Sequence, residues 1–368
     1  DSPKVALKDA AGKDIAIGQL TPPGVLTKIQ PVAAGEAFRE LHFILPSLMK
    51  GQTLALKAHL STDGQASGTS FVWKDTPGEY AELSFGNRPV LRYMYHALDE
   101  SSKEKRDQTF KVFHHLYDPT GTRLVTNGPS GLFPHHRGLF FGFNKTTYGD
   151  GKLVDTWHCT GDTYQSHERF LESVAGPVLG RHRVEIAWHG KGKEVFAKEQ
   201  RELTVYNVPG GQLVQFETNL TTTGGPIKLD GDPQHAGFHF RAANEVAEKT
   251  KQQTIFIRPD GPGQPGTETN WEPRTRKGPV NLPWNAMSFV LGNKRYTAAY
   301  LDHTANPKEA RESERTYGRI GSYFEYVVTA AWPLHVRYRI WLQEGQMSVP
   351  EIAAKSAAFV SPADVLLK

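Results

Sequence analysis

The chain has 368 residues, of which 22% are charged and 38% are hydrophobic. This composition is typical of a soluble globular protein, and no run of residues approaches the roughly 18 apolar residues that a transmembrane helix needs. The net charge of +4 is small and the acids and bases are interspersed, which argues against nucleic-acid binding and leaves a mild preference for anionic partners.

Cys159 is the only cysteine, so an intrachain disulfide, a thiolate metal cluster and a Cys-x-x-Cys redox pair are all excluded. The chain begins with Asp1 rather than with methionine, and we therefore expect a mature chain from which a secretory signal has been removed. On this interpretation the protein is periplasmic or extracellular.

Residues 1–74 are predicted to form a small β-sandwich. Short strand-like runs such as Val5-Ala6-Leu7 and Phe43-Ile44-Leu45 alternate with glycine, proline and aspartate turn signals. The histidines of this segment, His42 and His59, have no other polar cluster beside them in the sequence. We expect them to be structural or exposed.

Residues 75–368 are predicted to form a larger antiparallel β-sandwich, and the fold class is therefore all-β. The charged stretch 101–107 is predicted to be a surface loop, and 307–315 and 349–357 are the candidates for short helices. Sequence separates a sandwich from a closed barrel poorly, but a broad sandwich is favoured. Strand-like runs recur, with turn signals between several of them, at 80–85, 89–96, 110–117, 181–189, 202–208, 213–220, 254–258, 287–291, 296–301 and 323–329.

One stretch of the large unit, residues 133–144, combines reactive side chains with a buried strand. His135, His136 and Arg137 lead directly into a glycine-punctuated aromatic run, and Pro134 fits a strand that starts at a turn. A single histidine here would more often be a hydrogen-bonded residue at the edge of the core. Three adjacent polar groups favour a site, because chemistry often lies on loops held by a rigid sheet.

A second segment, 234–241, shows the two-residue period of a strand. One face carries His239, Arg241 and, further back, His235, and the other face carries Phe238 and Phe240. Because the phenylalanines must face the core, the opposite face presents two imidazoles and a guanidinium. A solvated face would more often carry Thr, Lys and Glu, so a functional face is favoured.

A third segment, 335–343, places Arg337, Arg339 and Trp341 on one face of a strand. An arginine pair beside a tryptophan suits a sugar ring that carries a carboxylate or sulfate. The guanidinium binds the anion through two hydrogen bonds, and the indole covers the apolar face of the ring. An exposed sheet face with salt bridges explains the same pattern equally well.

The number of histidines is compatible with metal binding. Neutral imidazoles are common ligands for zinc and similar divalent ions, and His158, His167 and His235 are the candidate ligands of one such ion. No helical metalloprotease motif, phosphate-binding glycine loop or G-x-S-x-G elbow is present, so we expect no organic cofactor.

Proton transfer is the other chemistry that these residues could perform. His135, His136 or His239 would act as the base, and arginines would neutralise a developing enolate. Tyr317 is a candidate acid, and nothing local in the sequence separates it from the other candidates, Tyr164, Tyr296 and Tyr300.

Four segments in this order resemble the bacterial PmoA-like family of uncharacterised proteins: 134–139, 155–158, 235–241 and 338–340. The label of that family implies a methane oxygenase. Particulate methane oxygenase is an integral membrane protein, however, and this sequence has no membrane span. The resemblance implies instead a soluble β-sandwich protein of the kind encoded near sugar oxidoreductases and glycan-degrading enzymes.

We therefore expect a carbohydrate-active enzyme that cleaves glycosidic bonds in an acidic or oxidised glycan. A lyase acting by β-elimination is preferred, hydrolysis is the runner-up, and a non-catalytic glycan-binding protein is the alternative from another class. The oligomeric state is left open. The expected substrate-binding residues are Arg137, Trp157, Arg241, Arg339 and Trp341.

Overall fold

The structure is a computed structural model that describes residues 4–29, 31–45, 47–49, 51–61 and 68–366. Within these residues antiparallel strands predominate, and the predicted all-β class is confirmed. The first strands are β1 (Lys4–Lys8), β2 (Asp14–Thr21), β3 (Glu40–Phe43) and β4 (Lys57–Ser61). They pair in the order β3-β2-β1-β4, so the N-terminal segment contains a four-stranded antiparallel sheet.

The middle of the chain supplies most of the remaining strands and one helix. The elements between residues 71 and 154 are β5 (Phe71–Thr76), β6 (Tyr80–Phe85), β7 (Arg88–Met94), α1 (Lys103–Thr109), β8 (Phe113–Leu116), β9 (Leu139–Phe143), β10 (Lys145–Tyr148) and β11 (Lys152–Val154). They are followed by β12 (Tyr164–Ala175), β13 (Leu179–His189), β14 (Val195–Tyr206), β15 (Gln212–Thr222), β16 (Ile227–Asp230) and β17 (Ala236–Arg241).

The last third of the chain completes the sheets and ends in a helix. Its elements are β18 (Ile255–Arg258), β19 (Gly261–Pro262), β20 (Trp284–Leu291), β21 (Lys294–Asp302), β22 (Arg311–Arg315), β23 (Arg319–Tyr323), β24 (Tyr326–Val328), β25 (Leu334–Glu344) and α2 (Val349–Val360). Short turns of 3-10 or π helix lie at Lys191–Lys193, Val246–Thr250 and Lys251–Gln253. No helix among the described residues is long and apolar enough to cross a membrane.

Two large sheets face each other across the core. The eight-stranded sheet has the order β22-β23-β17-β9-β8-β7-β6-β5, and the nine-stranded sheet has the order β12-β13-β14-β15-β25-β21-β20-β18-β19. A further four-stranded sheet has the order β11-β10-β16-β24. Phe238 of β17 stacks on Phe216 of β15 and on Tyr338 of β25, with ring centroids 4.3 and 4.9 Å apart.

The alternation predicted for two strands is confirmed by this packing. Phe238 and Phe240 are fully buried in the core, so the side chain of His239 lies on the outer face of the eight-stranded sheet. In β25 the residues Val336, Tyr338, Ile340 and Leu342 likewise face the core. The site predicted on β17 and the Arg-Trp face predicted on β25 therefore lie on the outer faces of opposite sheets.

The helix predictions are partly right. Helix α2 confirms the candidate at 349–357, and it starts with a capping box in which Ser348 and Glu351 bond each other's backbone N–H groups. The predicted helix at 307–315 is wrong, because Arg311–Arg315 forms β22 and pairs with β23. Its charged residues are good helix formers, but burial in the sheet decides the structure.

The predicted loop at 101–107 is also wrong. Helix α1 forms there because the Ser102 side chain accepts a hydrogen bond from the Lys105 backbone N–H and caps the first turn. The division of the chain at residue 74 stays a prediction. Strand β5 crosses that position as the edge strand of the eight-stranded sheet, and the Gln19 side chain accepts hydrogen bonds from Val178 N and Leu179 N.

Candidate functional site

Three connections meet on the outer face of the eight-stranded sheet: the loop before β9, the loop after β11 and the turn before β17. The first loop is fastened to β17 by its backbone, since Gly138 N donates to Asn127 O and Arg241 N donates to Gly138 O, both at 2.9 Å. Gly138 has φ +31°, and a Cβ there would lie 2.0 Å from the His114 carbonyl oxygen. Only glycine fits this approach, which fixes where His135, His136 and Arg137 point.

These connections bring five histidines together, and we call them the site cluster. Neighbouring ring centroids are 4.3 Å apart for His135 and His136, 4.4 Å for His135 and His158, and 4.7 Å for His158 and His235. The ring of His239 is 5.6 Å from that of His136. Of the six histidines that the sequence analysis names as candidate bases or metal ligands, the structure brings these five together.

Two members of the site cluster are each backed by a carboxylate three residues earlier. His158 Nδ1 lies 2.7 Å from Asp155 Oδ2, and His235 Nδ1 lies 3.0 Å from Asp232 Oδ1. The same carboxylates accept backbone N–H groups of their own turns, so each aspartate shapes the loop and orients the ring. With Nδ1 engaged, Nε2 of each ring is the nitrogen that remains for a ligand or a proton.

His135 and His136 carry ring nitrogens that lack partners. His135 Nε2 and His136 Nδ1 are buried and have no hydrogen-bond partner among the described residues. Burial, together with the charges of Lys111 and the neighbouring histidines, lowers the pKa of His135 to about 2. Burial also holds the pKa of His136 well below its ordinary value. Both rings are therefore neutral at pH 7, the form in which imidazole binds metals.

Three ring nitrogens, one each from His135, His136 and His235, all lie within 4.8 Å of one another. The arrangement supplies neutral nitrogen ligands, one of which has the carboxylate support that is common behind metal-bound histidines. A buried nitrogen without a partner is rare in proteins and calls for an explanation such as a bound ion. The residues present therefore fit one divalent transition metal.

His239 has a different role from the other four histidines. Its Nε2 lies 3.2 Å from the Arg137 carbonyl oxygen, and its Nδ1 accepts a hydrogen bond of 3.4 Å from Arg319 Nε. Burial holds its pKa well below the ordinary value. Because both ring nitrogens already have partners, His239 is suited to positioning the loop rather than to transferring protons.

Four buried basic side chains adjoin the site cluster, and each donates to at least one backbone carbonyl oxygen. Lys111 Nζ donates to the carbonyls of His135 and Trp157 at 2.6 and 2.5 Å. The guanidinium groups of Arg137, Arg241 and Arg319 likewise donate to main-chain oxygens. None of the four lies within ion-pair distance of a carboxylate in the part of the chain that the structure describes.

Burial of these cations without a counterion shifts their ionisation. It lowers the pKa of Arg137 to about 9 and that of Arg319 to about 10, and it lowers the pKa of Lys111 well below its ordinary value. The guanidinium groups stay charged at pH 7. The region around the histidines therefore has a positive potential that favours an anionic ligand.

Backbone strain is also found beside the histidines. Phe133 and Cys159 have φ values of 56° and 54°, although neither is glycine. Phe133 lies two residues before His135, and Cys159 directly follows His158. A side chain in this conformation costs roughly 1–3 kcal/mol, and such residues concentrate at functional sites.

The remaining predicted site residues fall into two groups. Trp157 and Tyr317 adjoin the site cluster: the Trp157 ring is 4.6 Å from that of His239, and the Tyr317 ring is 6.1 Å from that of His136. Arg241 also adjoins it, because its guanidinium lies 4.7 Å over the Tyr317 ring and donates to the Tyr317 carbonyl.

His167, Arg339 and Trp341 are not brought to the site cluster. His167 lies 3.2 Å from the Tyr93 hydroxyl on the other side of the eight-stranded sheet. Arg339 and Trp341 lie on the outer face of the nine-stranded sheet under helix α2, where they contact Phe359 and Lys355.

Two open clefts adjoin the site cluster. One has a volume of about 390 Å³ and is lined in part by Asn144, Asp155, Asp162 and Lys191. The other has a volume of about 370 Å³ and includes Asp232 and His235, together with Gln234, Asn270, Trp271, Glu272 and Arg315. Both volumes fall within the range that is usual for small-ligand sites.

Sequence reasoning did not single out Asp155, Asp232, Lys111 or Arg319 as site residues. For the two aspartates a usable signal exists, because Asp-x-x-His occurs twice in the whole chain, at 155–158 and at 232–235. For Lys111 and Arg319 no local pattern marks them, since they reach the site only through the pairing of distant strands.

A family model matches residues 80–357, and it is that of DUF6807, described as a family of unknown function. This supports membership of an uncharacterised family, while the PmoA-like label itself is not confirmed. A search of the curated proteins found no relative.

Among solved structures, the chain is similar to a galactose mutarotase-like protein from Clostridium acetobutylicum, at 8% identity and a TM-score of 0.31, over 73% of this chain and 94% of that one. It is also similar to the protein HI1317, at 10% identity and a TM-score of 0.27, over 75% of this chain and all of that one.

Proposed function

The chain belongs to DUF6807, a family of unknown function, and from its histidine site we propose a metal-dependent enzyme that cleaves an acidic or oxidised glycan by β-elimination. The observation that carries the proposal is the set of three ring nitrogens, from His135, His136 and His235, within 4.8 Å of one another. The unpartnered buried nitrogens of His135 and His136 support assigning these rings to an ion rather than to packing.

The low basicity of His135 separates the ligands from the base. A catalytic base works best with a pKa near the working pH, and burial lowers the pKa of His135 to about 2. We assign the base to His158, because Asp155 engages its Nδ1 and leaves Nε2 to accept a proton. The ring of His158 is also partly exposed, so a substrate can reach it.

The buried cations favour an anionic substrate. In β-elimination the base removes the proton on the carbon next to the sugar carboxylate, a double bond forms to the neighbouring carbon, and the glycosidic oxygen leaves with a proton from an acid. A positive surrounding stabilises the negative charge that develops on the carboxylate side. A bound divalent ion would add Lewis-acid stabilisation of the same charge.

Tyr317 is the proposed acid. Its ring lies at the edge of the site cluster, 4.9 Å from the ring of Phe133, and burial raises its pKa above the ordinary value. The phenol is therefore protonated at pH 7 and can donate to a leaving oxygen.

A periplasmic or extracellular location is part of the proposal, and fractionation of the native cells tests it.

The proposal is tested with purified protein and a panel of uronate-containing oligosaccharides, with and without a chelator. We expect an unsaturated product that absorbs ultraviolet light, near-stoichiometric divalent metal by elemental analysis, and loss of both after chelation. His158→Ala should lower the rate by about 10²–10⁴-fold. His335→Ala, which removes an exposed histidine from the other large sheet, is the matched control and should leave the rate unchanged.

The outcomes separate the alternatives. New reducing ends without ultraviolet absorbance would identify a hydrolase, and saccharide binding without either product would identify a binding protein. Full activity in protein stripped of metal would contradict the metal-dependent proposal.

A further inference from the structure

The two clefts reach the site cluster through different histidines. The first cleft is lined by Asp155, which holds His158, and the second is lined by Asp232 and by His235 itself. The rings of His158 and His235 lie 4.7 Å apart. Each cleft therefore adjoins one of two neighbouring histidines of the site cluster.

Asn144 links the two clefts. It lines the first cleft, and its Nδ2 donates a hydrogen bond of 2.6 Å to Asp232 Oδ2, which lines the second cleft. One residue of each cleft is therefore bonded directly to the other, so the clefts lie next to each other. A ligand filling only one cleft would leave the other open to solvent beside the reacting groups.

The charge of the clefts differs in sign from that of the centre. Asp155 and Asp162 stand against Lys191 in the first cleft, and Asp232 and Glu272 stand against Arg315 in the second. Arg315 is further neutralised by Glu268 at 3.0 Å. Each cleft thus has a surplus of carboxylate, whereas buried cations without ion pairs surround the histidines.

The other groups in the second cleft suit hydroxyl-rich neutral ligands. Gln234 and Asn270 contribute amide side chains, Glu272 contributes a carboxylate that can accept hydroxyl protons, and Trp271 contributes an indole. Amides and carboxylates exchange hydrogen bonds with sugar hydroxyls, and an indole covers the apolar face of a sugar ring. Carboxylates in the same cleft would repel a second acidic sugar.

We propose that the two clefts are saccharide subsites on either side of the histidine centre, and that they bind uncharged sugars next to the acidic sugar held at the centre. The substrate class is then a glycan in which acidic and neutral units alternate, engaged within the chain rather than at its end. This inference rests on the proposed function, because it takes the histidine centre as the position of the acidic unit.

Three probes test the inference by calorimetry on the metal-loaded protein: a hexasaccharide in which glucuronate alternates with an uncharged N-acetylated amino sugar, hexagalacturonate, and free glucuronate. The alternating hexasaccharide should bind at least about 10-fold more tightly than either of the others, because it fills both clefts without placing carboxylates against carboxylates. The same samples are analysed for unsaturated products.

Variants in each cleft sharpen the test. Gln234→Ala and Lys191→Ala should each weaken binding of the alternating hexasaccharide by roughly 2–10-fold, because each removes about one hydrogen bond to the ligand. Binding of glucuronate should be unchanged in both variants. Asp162→Asn combined with Glu272→Gln should improve binding of hexagalacturonate. Lys198→Ala, which changes an exposed lysine on β14 away from both clefts, is the control.

Equal affinity for the two hexasaccharides, affinity that does not depend on chain length, or no binding of any probe would overturn the inference. Cleavage that does not depend on chain length or charge pattern would support the proposed lyase function and contradict the two saccharide subsites. Tight, cleft-dependent binding of the alternating probe without cleavage would support the subsites and contradict the lyase.

Discussion

Two groups of neighbouring histidines in the described part of the chain include buried rings, and they differ in what surrounds them. The site cluster lies on loops outside the eight-stranded sheet. The other group, which we call the core pair, consists of His114 on β8 and His182 on β13, whose Nε2 atoms are 2.9 Å apart between the two large sheets. Both groups contain imidazoles that burial keeps neutral and ring nitrogens without partners.

The difference lies in the partners. The rings of the core pair pack against Tyr93 and Trp73 at centroid distances of 4.7 and 4.9 Å, and no carboxylate bonds either ring in the part of the chain that the structure describes. In the site cluster Asp155 and Asp232 orient two of the rings. Burial and unpartnered ring nitrogens are therefore common to both groups, and the carboxylate partners of two rings distinguish the site cluster.

The largest expected effect follows from removing a proposed ligand. His135→Ala should reduce metal content from near-stoichiometric to background and abolish turnover, because two nitrogens cannot replace three. The loss should exceed the about 10–100-fold in metal affinity that removal of an outer-shell partner costs. Elemental analysis and a chelator competition measure it, and metal content equal to that of the parent would contradict the assignment of this ligand.

A smaller effect is expected from the carboxylate behind a ligand. Asp232→Asn should weaken metal binding by about 10–100-fold while the fold is retained, since His235 would lose the charge that orients its ring. Asp150→Asn, at an exposed aspartate outside the site, provides the comparison and should have no effect. If both variants bind metal as the parent does, the aspartate only shapes its turn.

The core pair should respond in the opposite way. His182→Leu leaves His114 Nε2 buried without a partner, which should reduce the free energy of unfolding by about 1–3 kcal/mol. Metal content and activity should not change, because neither ring touches the site cluster. Urea unfolding together with elemental analysis measures both quantities, and loss of metal in this variant would break the distinction between the two groups.

The pH dependence of stability should also follow the core pair. Burial lowers the pKa of His182 to about 3, below the roughly 6.5 expected in the unfolded chain. As the pH falls, the unfolded state therefore binds the proton first. The contribution of His182 to the free energy of unfolding is fully present above about pH 6.5 and is lost as the pH decreases from there towards about pH 3. One such group contributes at most about 1.4 kcal/mol per pH unit, and unfolding at a series of pH values should show a shallower decrease in His182→Leu.

Much of the fold can be predicted from the sequence because strand periodicity is local. The alternation of Phe238 and Phe240 with His239, and of Val336 with Arg337, correctly separates core from outer face. The errors at 101–107 and 307–315 have different causes. A single capping serine decides the first, and pairing with a distant strand, which outweighs local helix propensity, decides the second.

The site is less predictable, because it depends on which sheet face each segment reaches. The convergence of His135, His136 and His235 follows from their positions next to β9 and β17, which pair directly. The grouping of His167 with them fails because its strand, β12, belongs to the opposite sheet. No local pattern reveals that difference.

The central claim is that His135, His136 and His235 hold one metal ion, and diffraction at the absorption edge of the metal found by elemental analysis tests it most directly. The account predicts a single anomalous peak bonded to one nitrogen of each ring, at about 2.0–2.1 Å if the metal is zinc. Metal-saturated crystals with no peak among these three rings, or with the peak elsewhere in the molecule, would contradict it.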